Sequence, residues 1–136
     1  MNISDPAFEQ FRGNPPVTAD DIRQFEVVSG MRLRQDYTVF LMKRNGGEGF
    51  VGHSYATLWR LQELIERNKE YRVSVYAPGL FLFGSDGGDD AFAFDMRTVE
   101  QPIVRIPFIP LTLKEVIPLA DDFEGFIRKL SSSNES

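Results

Sequence analysis

The stretch LFLFGSDGGDDAFAFD, residues 80–95, decides the fold class. Its ends, residues 80–83 and 91–94, are apolar runs of strand length, and residues 84–90 between them are all Gly, Ser or Asp. These residues favour tight turns, because Gly adopts positive φ without strain and Asp accepts hydrogen bonds from its own turn. The stretch therefore predicts a β-hairpin, an antiparallel pair of strands.

Four amphipathic segments predict helices on either side of this hairpin. The first begins at Thr18, which has capping-box spacing to Asp21, and ends at Gly30. The second covers about residues 36–44, the third begins at Thr57, and the last begins near Asp121, at capping-box spacing to Glu124. Their apolar stripes are Ile22, Phe25 and Val28; Tyr37, Phe40 and Leu41; Leu58, Leu61, Leu64 and Ile65; and Phe123, Phe126, Ile127 and Leu130.

Further strands are predicted at residues 50–51, 71–75 and 103–106. The pattern of residues 110–119 is ambiguous between helix and strand. The helices and strands do not alternate regularly, which argues against a doubly wound parallel sheet. We therefore predict an α+β fold: a mainly antiparallel sheet with about four helices packed mostly on one face.

The sequence predicts one domain with a short flanking segment at each end. Residues 1–14 are expected to form a loosely attached N-terminal arm, residues 15–130 a single domain, and the Ser-rich residues 131–136 a disordered tail. Residues 1–13 lack the apolar run of a signal peptide, and nothing approaches the ~20 apolar residues that span a bilayer. We expect a cytoplasmic protein that does not enter membranes, which agrees with the absence of Cys.

Composition argues against two classes of function. Lys and Arg total 15 against 20 Asp and Glu, a formal charge of −5, so direct binding to nucleic-acid phosphates is not expected. Without Cys and with a single His, thiolate and most acid–base chemistry is missing. His53 precedes Ser54, but adjacent strand residues point to opposite faces, which argues against a catalytic pair. We expect neither enzymatic activity nor a cofactor.

Three stretches in order make the chain resemble the SUKH superfamily. They are LRQDYTVFL at residues 33–41 leading into Asn45-Gly46-Gly47, LFGSDGGDDAFAFD at residues 82–95, and LADDFEGFI at residues 119–127. Two positions depart from the family pattern: Arg34 stands where Pro is usual, and Asp122 where Ser is common. The positions that carry the likeness, all expected to be structural, are Tyr37, Phe40, Leu41, Asn45, Gly46, Gly47, Gly84, Asp86, Gly87, Asp95, Ala120, Phe123 and Phe126.

The resemblance implies an α+β fold, no catalytic residues and a protein-binding role. Bacterial members of the superfamily typically neutralise polymorphic toxins, many of them nucleases, and fungal members of the Smi/Knr type are interaction hubs in cell-wall signalling. The most favoured hypothesis is an immunity-type protein that occludes a basic toxin domain. The alternative is a cytoplasmic regulatory or scaffold domain without a toxin partner.

Two features are candidate interaction sites. Asp86, Asp89 and Asp90 in the predicted turn form an acidic surface that could face a basic partner. With Asp95 they also leave open a minor alternative, a calcium-binding module or small metal-dependent enzyme, although the spacing does not match an EF-hand loop. Trp59 is either a core residue or, if exposed, an interface anchor.

Overall fold

The structure, a computed structural model, describes residues 5–132, and in them seven strands form one antiparallel sheet. The strands lie side by side in sequence order, each antiparallel to the next, so the sheet is a simple meander. This confirms the predicted α+β class. The strands are β1 (Phe11–Gly13), β2 (Gly47–Val51), β3 (Ser54–Leu58), β4 (Leu80–Ser85), β5 (Asp90–Asp95), β6 (Ile103–Pro107) and β7 (Ile117–Ala120).

The same residues contain five α-helices where the sequence predicts about four. The N-terminus of the first has the predicted capping box: the Thr18 hydroxyl accepts from the Asp21 N–H (3.1 Å), and the Asp21 carboxylate accepts from the Thr18 N–H (2.9 Å). Gly30 ends that helix in the left-handed conformation, with φ of 73°. The helices are α1 (Ala19–Ser29), α2 (Gln35–Leu41), α3 (Leu64–Glu70), α4 (Val73–Tyr76) and α5 (Phe123–Ser132).

The predicted hairpin is β4–β5, and it carries the aromatic core. Phe92 and Phe94 alternate with alanines on β5 and therefore point to one face. On that face the ring of Tyr37 from α2 lies 4.9 Å from that of Phe94, and the ring of Phe126 from α5 lies 4.9 Å from that of Phe92. Helix α1 reaches the same face, because Phe81 pairs with Phe94 and lies against Phe25. Three of the five helices thus cover one face of the sheet.

Helix α5 is held at its start by residues from two parts of the chain. The Asp122 carboxylate accepts from the Gly125 N–H (2.7 Å), so Asp122 caps the helix in place of the predicted Asp121–Glu124 pair. The Phe123 N–H donates to Asp36 of α2 (2.9 Å), which also receives two hydrogen bonds from Arg34, both 2.9 Å long. Both departures from the family pattern, Arg34 and Asp122, therefore have structural roles.

Two predicted elements are wrong. Residues 57–58 end strand β3 instead of beginning a helix, because Thr57 and Leu58 pair with Glu48 and Gly47 of β2; a 3₁₀ turn at Leu61–Glu63 then leads into α3. Residues 73–75 of the predicted strand lie in helix α4, and residues 71–72 lie in the turn before it, so no strand forms there. Val28 of the predicted first stripe is exposed.

The flanks differ from their prediction where the structure describes them. Residues 11–13 form β1, and Phe8 and Phe11 are buried, so this part of the expected arm is joined to the sheet. Residues 131–132 of the expected tail are the last residues of α5. Residues 1–4 and 133–136 lie outside the described residues. Residues 110–119, left ambiguous by the sequence, contain a 3₁₀ turn at Leu113–Glu115 and most of β7.

Candidate protein-interaction surface

Strands β1–β3 present exposed side chains on one face, which we call the exposed sheet face. Its apolar centre is the cross-strand pair Phe50 and Tyr55, whose side chains are 46% and 37% exposed. Their rings meet edge to face with centroids 5.5 Å apart. Arg12 and Glu48 pair across β1 and β2 in a 2.9 Å salt bridge, and Thr57 is opposite Glu48. The face therefore combines an aromatic pair with a neighbouring ion pair.

A groove with a volume of about 590 Å³, here the hairpin groove, is lined by Thr57 and by the tip of the β4–β5 hairpin. Its aromatic wall consists of Tyr71, whose ring is 4.7 Å from that of Phe108, and of Trp59, which lies nearly parallel to Tyr71 at 6.2 Å. Ile109, 91% exposed, stands at the rim. An apolar side chain of a partner could be buried here.

A second depression of about 360 Å³, here the arginine pocket, shares Thr57, Trp59 and Arg67 with the hairpin groove. Arg60 and Arg67 both donate through Nε to Glu63, at 2.9 and 3.1 Å, and the Arg67 guanidinium lies 5.1 Å from the centre of the Trp59 ring. Sequence reasoning missed this cluster. The spacing of Arg60, Glu63 and Arg67, three and four residues, was the available signal, because such residues are neighbours on a helical surface.

The structure separates the three carboxylates of the predicted acidic surface. Asp86 accepts from the N–H groups of Gly88 (2.8 Å) and Asp90 (3.3 Å), so it holds the turn together. Asp90 forms a 3.3 Å salt bridge with Arg105. Asp89 lines the hairpin groove, and its side chain has no hydrogen-bonding or ionic partner among residues 5–132. One of the three carboxylates is thus available at the groove, and its role in recognition stays a prediction.

Asp86 and Asp89 face different depressions. Asp86 lines a smaller one of about 260 Å³ on the side of α5, together with Arg105 and Phe126, whereas Asp89 lines the hairpin groove. The acidic residues therefore do not form one continuous surface.

Trp59 and Asp95 both have structural environments. Trp59 is only 4% exposed and packs against Tyr71 and Arg67, so its ring supports the groove and the pocket from within. Hydrogen bonds from Arg97, at 2.8 and 2.9 Å, hold the pKa of Asp95 below its ordinary value. An exposed tryptophan anchor is not present at this position.

A family model described as SMI1 / KNR4 family (SUKH-1) matches residues 16–129, most of the chain. The chain belongs to the SUKH-1 family. No curated protein matches the sequence of this SUKH-1 chain.

The glycines of the SUKH-1 motifs stand where backbones approach closely. A Cβ on Gly46 would lie 2.3 Å from the Leu58 carbonyl oxygen, and one on Gly47 would lie 2.3 Å from that of Arg12. Gly84 is equally constrained, since its Cβ would be 2.6 Å from the Thr57 carbonyl oxygen. Gly46 and Gly47 therefore do more than end a helix, which already ends at Leu41: they let β1, β2 and β3 come together.

The other SUKH-1 motif positions also have structural environments. Asn45 is buried; its Oδ1 accepts from the Leu61 N–H and its Nδ2 donates to Gln62, both at 2.8 Å. Gly87 has φ of 83° and lies against the ring of Tyr55. Ala120 pairs with Ile103 at the end of β7. The remaining apolar positions, Tyr37, Phe40, Leu41, Phe123 and Phe126, are fully or almost fully buried in the core.

The remaining residues that the sequence offered for catalysis or metal binding are His53 and the hairpin carboxylates. His53 is exposed in the turn between β2 and β3. Across residues 5–132, no three or more His, Asp or Glu side chains are grouped so that they could hold a metal ion, and Asp86, Asp89, Asp90 and Asp95 are included in that statement. No described helix has the length and apolar character needed to cross a membrane.

Proposed function

We propose that this SUKH-1 domain is a non-catalytic protein-binding module that neutralises a cognate bacterial toxin by occlusion. The observation that carries the proposal is the exposed sheet face, where the aromatic pair Phe50 and Tyr55 lies beside the Arg12–Glu48 ion pair. Protein interfaces typically combine an aromatic centre with polar residues at the rim. Family membership over residues 16–129 supports the immunity-type role that the motifs imply.

Occlusion requires a surface that covers a partner's cleft, not a cavity that encloses a ligand. The exposed sheet face and the hairpin groove are joined through Thr57, so a partner could lie across both. In this proposal Phe50 and Tyr55 contact the partner's apolar surface, and Ile109 extends the contact at the groove rim. Such binding would exclude the toxin's substrate without any bond being made or broken.

The charge of the chain supports a basic toxin domain, such as a nuclease, as partner. The formal charge is −5, and opposite net charges accelerate encounter between two proteins. Asp89 is the carboxylate at the hairpin groove that could meet a cation of such a partner. We further propose that the protein acts in the cytoplasm and does not bind nucleic acid itself, which fits its acidity.

A regulatory or scaffold domain without a toxin partner is the alternative. The same family match favours it, since the family's description names SMI1 and KNR4. Both functions need a protein-binding surface, and they differ in the partner's effect on cells.

The experiment uses the genes that flank this one. Each flanking protein is expressed alone and together with this chain, and growth of the host is measured. We expect one flanking protein to arrest growth alone and to be harmless in the presence of this chain, and the two to co-purify. If none is toxic, or if toxicity persists while folded chain is present, the immunity proposal is wrong.

A further inference from the structure

We infer that the arginine pocket binds the carboxylate of an acidic side chain on the protein partner. This inference rests on the proposed function, because it names one chemical feature of the partner's surface. The whole chain is acidic, and its net charge by itself predicts only cationic ligands, whereas this pocket is assigned to an anion.

The pocket has a local excess of positive charge. Its lining includes three guanidinium groups, Arg12, Arg60 and Arg67, and two carboxylates, Glu48 and Glu63. Each carboxylate is already paired: Glu48 with Arg12, and Glu63 with both other arginines. The lining therefore carries one net positive charge, in a chain whose total is −5.

The guanidinium groups retain free donors. Arg60 and Arg67 each use Nε to reach Glu63, and their terminal nitrogens donate no hydrogen bond within residues 5–132. The side chain of Arg60 is 56% exposed and that of Arg67 is 39% exposed, so a ligand can approach both. A guanidinium presents several N–H donors in a plane, which matches the two oxygens of a carboxylate.

Arg67 is held in place before any partner arrives. Its guanidinium packs over the buried ring of Trp59, which in turn lies parallel to Tyr71, and its Nε is held by Glu63. Fixing the side chain in advance reduces the entropy lost on binding. One net positive charge is matched by the single charge of a carboxylate better than by the nearly doubly charged phosphate, so we assign the pocket to an Asp or Glu side chain.

The test follows the Arg side-chain Nε–Hε signals of the ¹⁵N-labelled full chain by NMR. The probes are a tetraglutamate peptide capped at both ends, the matching tetralysine peptide, and inorganic phosphate. We expect tetraglutamate to shift the Arg60 and Arg67 signals saturably, and tetralysine to leave them unchanged. Arg60→Gln and Arg67→Gln should each weaken tetraglutamate binding by about tenfold or more. Thermal melting checks that each variant is folded. If Arg67→Gln does not fold, Arg60→Gln carries the test, because Arg60 is exposed.

Arg128→Gln is the matched control, because Arg128 is an exposed arginine paired with Glu124 on helix α5, outside the pocket. Its variant should bind tetraglutamate as the wild type does. The inference is overturned if tetraglutamate causes no saturable shift, if Arg128→Gln weakens binding equally, or if phosphate binds more tightly than tetraglutamate.

The growth assay separates this inference from the proposed function. If the Arg60→Gln and Arg67→Gln double variant is folded and protects cells as well as the wild type, the pocket is not part of the interface and the immunity function still stands. If tetraglutamate binds but no flanking protein is neutralised, the immunity function fails and the carboxylate site remains.

Discussion

The side-chain amide of Asn68 pairs with the backbone of Leu82 as a neighbouring strand would. Its Oδ1 accepts from the Leu82 N–H at 2.9 Å, and its Nδ2 donates to the Leu82 carbonyl at 3.0 Å. Strand β3 pairs with β4 only at Thr57–Ser85 and Leu58–Gly84, so it does not reach Leu82. Helix α3 thus supplies, through the Asn68 side chain, the hydrogen bonds to Leu82 that β3 does not supply.

Replacing Asn68 should therefore destabilise the whole domain. Asn68→Ala leaves the N–H and the carbonyl of the buried Leu82 without these partners, and we expect the free energy of unfolding to fall by about 2–3 kcal/mol. Urea unfolding measures the change. Gln24→Ala is the control, an exposed amide on helix α1 whose loss should cost no more than about 0.5 kcal/mol. Equal effects of the two changes would contradict a structural role for Asn68.

Asp36 links helices α2 and α5, and its removal should weaken that link. Asp36→Asn loses the charge that Arg34 and the Phe123 N–H stabilise, so we expect the free energy of unfolding to fall by about 1.5–3 kcal/mol at pH 7. Asp20→Asn is the control: Asp20 forms an exposed ion pair with Arg23, and such pairs contribute about 0–1 kcal/mol.

The Asp36 contribution should disappear in acid. Burial alone would raise the pKa of Asp36, but the hydrogen bonds from Arg34 and from the Phe123 N–H outweigh it and hold the pKa below its ordinary value. The unfolded chain then binds more protons, so the stabilisation is complete above the ordinary Asp pKa of about 3.9 and is lost as the pH falls through the lower folded pKa. Urea unfolding across this range should show the wild type and Asp36→Asn converging in acid. A difference that stays constant would refute the linkage.

Tyr37 places a hydroxyl in the aromatic core. The residue is 1% exposed, its hydroxyl has no hydrogen-bond partner within the described residues, and burial raises the pKa of the phenol. Since an unpaired buried hydroxyl costs free energy, Tyr37→Phe should raise the free energy of unfolding by about 1 kcal/mol. Denaturant unfolding provides the measurement, with Tyr76→Phe, half-exposed on α4, as a control of little effect. A loss of stability on Tyr37→Phe would mean that the hydroxyl has a partner, such as a buried water.

The exposed sheet face should dominate binding to the proposed partner. Phe50→Ala removes one ring of the Phe50–Tyr55 pair, and we expect about 30-fold weaker binding, or about 2 kcal/mol, with loss of protection in the growth assay. The domain should stay folded by thermal melting, because the side chain is about half-exposed. Val27→Ala, an exposed apolar residue on helix α1, should bind and protect as the wild type does. If Phe50→Ala retains full affinity, the partner docks elsewhere.

Local patterns were sufficient for some elements. The turn residues between Phe83 and Ala91 specified the hairpin, and the cap at Thr18 and Gly30 bounded helix α1, because in both cases neighbouring residues supply the determining hydrogen bonds or φ angles. They failed where the partners are distant. Leu58, Leu61 and Leu64 have helical spacing, yet Leu58 lies in a strand because Gly47 and Gly84 pair with it from two other strands.

The candidate site shows the same division. The sequence by itself determined the family, the antiparallel hairpin and the Asp-rich turn. The tertiary structure decided that Asp86 and Asp90 are engaged by the turn and by Arg105, that Trp59 is buried, and that Arg12 lies near Arg60 and Arg67. The reason is physical: turns and caps form from contacts between near neighbours in the chain, whereas a surface is assembled by strand pairing that joins distant residues, such as Arg12 and Glu48, which are 36 positions apart.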